Sequence, residues 1–105
     1  MKDSLCLTKY ESYLKNEKNA SANTLASYLR DIRQLGEYLS SHTDLGFTAA
    51  DEAVLTEYIA WLKGRGKSVA TVSRAIASIK GFYGFLLDTG AGDHNPAAGL
   101  VPGQT

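Results

Sequence analysis

Cysteine is nearly absent from this chain, with one residue in 105, Cys6. A single thiol excludes an internal disulfide framework. Its place between Leu5 and Leu7 suits a small residue of the core or its rim. Proline is almost as scarce: Pro96 and Pro102, both near the C-terminal end. No run approaches the ~18 apolar residues that a membrane span needs, and the N-terminus lacks the charged, apolar and cleavage regions of a signal peptide. These absences fit a cytoplasmic protein with no membrane partner. Metal-ligand spacing is missing too, since neither His42 nor His94 has a ligand partner three or four residues on. No Gly-rich phosphate loop precedes a lysine. The stretch "KGRGK", residues 63–67, has glycines and charge but no preceding strand, so it reads as a turn. Without a nucleophile–base set, the residues by themselves point to no catalytic centre, metal or cofactor.

Net charge is also lacking, because 11 basic residues balance 11 acidic ones. A nucleic-acid binder is usually basic, but the distribution is uneven. No basic residue lies between Arg33 and Lys63, where Glu37, Asp44, Asp51, Glu52 and Glu57 fall. No acidic residue lies between Glu57 and Asp88, where Lys63, Arg65, Lys67, Arg74 and Lys80 fall. The folded molecule should be electrically two-sided, and a basic patch steers an anionic partner even on a neutral protein.

What is present is a helical pattern. Hydrophobic residues make up 44% of the chain, enough for the core of one domain. A first helix is expected over about Leu5–Lys18, with Leu7, Tyr10, Tyr13 and Leu14 on one side. The second begins at the N-cap Ser21 and runs to about Ser40. Its stripe is Leu25, Tyr28, Leu29, Ile32, Leu35 and Leu39, at steps of three and four. Thr48 and Asp51 have capping-box spacing and predict a third helix over about Ala49–Lys63, burying Val54, Leu55, Tyr58, Ile59 and Leu62. Ser68 caps a fourth to about Asp88, with the stripe Val69, Val72, Ile76, Ile79, Phe82, Tyr83 and Leu86. Gly90 and Gly92 follow where a helix end favours glycine. "NPAAGLVPGQT" reads as a turn and then a linker. Short joints imply a compact all-α four-helix bundle, in which Tyr28, Tyr58, Trp61, Phe82 and Tyr83 serve packing.

Two polar faces remain. On the second helix Asn23, Ser27, Arg30 and Gln34 lie opposite the apolar stripe. Ser21, Asn23 and Thr24 crowd its start, where exposed N–H groups favour an anion. On the fourth, Thr71, Arg74 and Ser78 lie on one line, with Lys67 near its entrance and Lys80 at the border of the stripe. Gly81 and Gly84 cost roughly 1 kcal/mol each in a helix interior relative to alanine. They would let a helix or a nucleic-acid backbone approach closely. Hydroxyl, amide and guanidinium groups on two faces suit phosphate contacts, with some free to read base edges. A helical protein-interaction module that does not bind DNA is the competing reading. In it the acidic third-helix region of one molecule would attract the basic fourth helix of another.

The order of "SANTLASYLRDIRQLGEYL", "LTEYIAWL", "SVATVSRAIASIKGFYGFL" and "NPAAGL" resembles the N-terminal core-binding domain of tyrosine recombinases (phage integrases), especially the Xer-like branch. The likeness spans residues 5–100. It implies a SAM-like four-helix domain, residues 1–98, and the start of an interdomain linker, 99–105. It further implies one half of a C-shaped clamp on double-stranded DNA, with helices two and four across the major groove. Contacts would come from Ser21, Asn23, Thr24, Ser27, Arg30, Lys67, Thr71, Arg74, Ser78 and Lys80. Arg74 is foremost, because Ser73–Arg74 stands where the family has its Ser–Arg pair. The catalytic residues would belong to an absent C-terminal domain that cleaves and rejoins DNA through a 3′-phosphotyrosyl link, with no metal or high-energy cofactor. None of the six tyrosines here is expected to be the nucleophile, so this fragment would not itself be an enzyme. It would be monomeric alone, bind weakly, and meet other recombinase protomers on DNA.

Overall fold

In a computed structural model that describes residues 3–92 and 94–100, the chain forms four α-helices and one 3₁₀ turn. The helices are α1 (Asp3–Asn16), α2 (Ala22–His42), α3 (Glu52–Gly64) and α4 (Val69–Asp88). The 3₁₀ turn, Phe47–Ala49, lies between α2 and α3. The all-α bundle therefore stands as expected. Among the described residues no helix is long and apolar enough to cross a membrane.

Local chemistry explains each boundary. Ser21 caps α2 by accepting a hydrogen bond from the Thr24 N–H at 3.2 Å, and Ser68 caps α4 by accepting from the Thr71 N–H at 3.1 Å. In both caps the serine hydroxyl also donates to the threonine Oγ1, at 3.0 Å. The third helix departs from expectation. Thr48 lies inside the 3₁₀ turn, and Asp51 is the cap, accepting from the Val54 N–H at 3.0 Å. A carboxylate satisfies the orphan N–H groups at a helix start and favours the positive dipole end. Gly66 and Gly90 both have φ of 79°. Each closes the helix before it with a pair of backbone bonds, Lys67 N–H to Leu62 O and Gly66 N–H to Lys63 O, and Ala91 N–H to Leu86 O and Gly90 N–H to Leu87 O. This left-handed termination favours glycine. Gly92 has no positive φ and no such role.

The core lies between α1, α2 and α4, with α3 closing one side. Tyr10, Ile32, Leu35, Leu55, Tyr58, Ile76, Ile79 and Phe82 are fully buried. Cys6 joins them, and burial pushes its thiol pKa up. Rings interlock across elements: Tyr10 meets Phe82 at 5.2 Å, Phe47 meets Phe82 at 4.8 Å, and Tyr13 meets Phe85 at 4.8 Å. The 3₁₀ turn is pinned from two sides, since Asp3 accepts from the Phe47 N–H and the Tyr83 hydroxyl donates to the Phe47 carbonyl. Tyr38, Ala75 and Phe85 are core residues outside the stripes read from sequence, whereas Val69 is 73% exposed at the start of α4. Packing also runs past residue 98. Asn95 Oδ1 accepts from the Ala97 N–H, Ala97 is buried, and so is Leu100. Most of the expected linker, 101–105, lies outside the described residues.

Candidate nucleic-acid interface

The two polar faces are joined by a buried carboxylate. Asp31 points from α2 toward α4, where Arg74 binds it side-on: Nε donates to Oδ2 at 3.1 Å and Nη2 to Oδ1 at 3.0 Å. The Ser78 hydroxyl donates to Oδ2 at 2.7 Å. Asp31 is 3% exposed and Ser78 fully buried, but the Arg74 side chain keeps 41% of its surface. Desolvating a charge is costly unless it is paired and hydrogen-bonded. Here three bonds satisfy the carboxylate, while the guanidinium reaches water. The Asp31 hydrogen bond, and then its charge, push the Arg74 pKa further above its ordinary value, so Arg74 stays cationic.

This node fixes how the helices run. Asp31 meets Arg74 and Ser78, while Lys67, just before the start of α4, shares a cleft with Gln34, Glu37 and Ser41, later in α2. The two helices are therefore antiparallel. The cleft has a volume of about 230 Å³, and Trp61 and Arg65 at the end of α3 close it. Arg65 lies over the Trp61 ring at 4.8 Å, an arrangement that favours a cation.

The candidate residues divide accordingly. Ser21, Asn23, Thr24, Arg30 and Lys67 are exposed, and Ser27 and Thr71 half-buried. Ser27 stands one turn before Asp31, on the flank of α2 that turns toward α4. Thr24 and Thr71 belong to the caps, which accounts for their presence without any ligand. Each hydroxyl accepts from its serine and keeps its own proton to donate. Three expectations need correction. Ser78 is fully buried against Asp31 and has no surface for a ligand. Arg74, expected as the foremost DNA contact, is paired with Asp31, which offsets its charge. Lys80 is half-buried and stands about 120° around α4 from Arg74, on the other flank. Gly81 answers to a neighbour rather than a ligand, since a Cβ there would lie 3.1 Å from the Tyr10 hydroxyl. Among the described residues no group of three or more His, Cys, Asp or Glu could hold a metal ion.

The family model for the phage integrase N-terminal SAM-like domain matches residues 7–90. The chain belongs to this family. It is 38% identical over 92 residues to a protein of Caldanaerobacter subterraneus subsp. tengcongensis whose name places it among the tyrosine recombinases, covering 88% of this chain and 31% of that relative. It is 30% identical over 96 residues to tyrosine recombinase XerC of Pseudomonas entomophila, and 33% identical over 96 residues to XerC of Azotobacter vinelandii. Each of these alignments covers 91% of this chain and 32% of the relative. The chain thus spans about a third of the length of these relatives. No solved structure matches it at a significant level.

Within this SAM-like domain Asp31 is the residue that pattern reading missed. It follows Arg30 and precedes Ile32, an ordinary charged position at the edge of an apolar stripe. Its partner is 43 residues away, and only the packing of α2 on α4 brings the two together. Gln34 and Arg65, at the cleft with Lys67, were legible as polar or basic residues but not as neighbours.

Proposed function

We propose that this domain grips duplex DNA as the N-terminal part of a site-specific tyrosine recombinase, and that a C-terminal catalytic domain performs cleavage and rejoining. Membership of the integrase SAM-like family and the tyrosine recombinase names of the relatives support the recombinase role. The observation that carries the DNA reading is the antiparallel α2/α4 pair locked through Asp31. In this reading Asn23, Ser27 and Arg30 of one helix work together with Thr71 and Arg74 of the other, with Lys67 just before α4. Two helices side by side can lie along the major groove and reach the phosphates at its edges. The domain itself carries no reaction in this reading. It extends to at least Leu100, acts from the cytoplasm, is monomeric alone, and meets other protomers on DNA.

Salt dependence tests the grip. Binding of the 105-residue chain to a 30-bp duplex should weaken linearly on a log–log plot against salt. Arg30→Gln and Lys67→Gln should each flatten the slope by about 0.9, the contribution of one phosphate contact. A chain that binds no duplex at low salt, or variants with the wild-type slope, would contradict the reading. Salt-sensitive self-association with no response to DNA would favour the protein-interaction module instead.

A further inference from the structure

Asp31 occupies one edge of the Arg74 guanidinium and leaves the other open. A guanidinium has five N–H donors in a planar fork. Asp31 takes the Nε–H and one Nη2–H. Of the remaining three donors, the outer N–H of Nη2 and the adjacent N–H of Nη1 form the end-on fork. The side chain is 41% exposed, and its anchor, itself tied to Ser78, is buried. The end-on fork is therefore held in a fixed direction on the flank that α2 and α4 share.

A guanidinium already offset by a carboxylate is poorly suited to supply bulk charge to the phosphate backbone, since a flexible exposed lysine or arginine does that at less cost. A fixed planar fork suits a planar pair of acceptors. In the major groove that pair is O6 and N7 of guanine, which a bidentate arginine reads. Resting on the DNA-binding reading above, we propose that Arg74 reads one guanine of the target duplex through its end-on fork and that Asp31 is its positioning residue. Arg30 and Lys67, exposed and in neither of the ion pairs seen among the described residues, supply the sequence-independent phosphate contacts. The domain thus separates its cations into one that specifies and others that hold.

Selection from a randomised duplex pool with the 105-residue chain tests this division. The wild type should enrich a guanine at one position. Arg74→Gln replaces the fork with an amide that suits adenine, and should lose the guanine preference at that position alone while the remaining consensus persists. Asp31→Asn should lose the same preference, a change that a merely structural role would not confine to one base pair. If Asp31→Asn fails to fold, 7-deazaguanine at the selected position decides. Removing N7 should weaken the wild type about tenfold and leave Arg74→Gln indifferent. An unchanged consensus in Arg74→Gln, even weakening across all positions, or indifference of the wild type to 7-deazaguanine would overturn the assignment and leave Arg74 a phosphate or structural residue. Absence of any duplex binding by the wild type would overturn the DNA reading itself, and this inference with it.

Discussion

At the scale of single residues, the asymmetry of the Asp31–Arg74 pair has a consequence for stability. Asp31 is buried and depends on its partners, whereas Arg74 can turn its head into water. Truncating Arg74 strands a buried carboxylate with only Ser78 beside it. Neutralising Asp31 strands no charge, and asparagine still accepts from Ser78, but its amide N–H group is left facing the Arg74 Nη2 donor. Arg74→Ala should therefore cost about 2 kcal/mol, less than the ~3–5 kcal/mol of a fully buried pair. Asp31→Asn should cost about 1 kcal/mol, the low end for a buried donor left without an acceptor, because Arg74 can turn away. Urea titration of both variants checks the order, and equal losses would show that the pair does not distribute its burial in this way. The composition of this node was visible in the sequence, but its pairing was not. Helical spacing put Thr71, Arg74 and Ser78 on one line, yet it could not say that this line meets α2 and sinks Ser78.

At the scale of elements, most of the fold was legible because the signals are local. Serines 21 and 68 begin helices through bonds within the same turn, and steps of three and four mark the buried faces. Thr48 misled for an equally local reason. A capping residue must be followed by helix, and the segment that follows Thr48 completes a 3₁₀ turn tied down by Asp3 and Tyr83, 44 and 36 residues from Phe47. The turn between α3 and α4 allows a test of opposite signs. Gly66 needs its φ of 79°, whereas Gly64 is the last helical residue and a Cβ there meets nothing within 4 Å. Gly66→Ala should destabilise by about 1–2 kcal/mol, while Gly64→Ala should stabilise by about 0.4–1 kcal/mol. Thermal unfolding of the two variants separates them, and shifts of the same sign would refute the account of the turn.

At the scale of the whole molecule, zero net charge does not exclude binding, because charge is segregated along the chain. The acidic stretch from Glu37 to Glu57 leads into α3, and Lys67 and Arg74 follow at the entrance and on the body of α4, although Glu37 shares the cleft of Arg65 and Lys67. The radius of gyration, 12.9 Å, is that of a compact domain of this length. Sequence could state the imbalance but not its geometry, which depends on which faces the core consumes. Lys80 shows the limit: it shares a helix with Arg74 yet stands on the other flank. The most direct measurement is amide and side-chain chemical-shift mapping of the 105-residue chain titrated with duplex DNA. Perturbations should concentrate at the start of α2, along Ser27 and Arg30, and at Lys67, Thr71 and Arg74, with the Asp3–Phe47 side silent. Shifts centred on α1 or the acidic face of α3, or none at saturating duplex, would contradict a grip formed by α2 and α4.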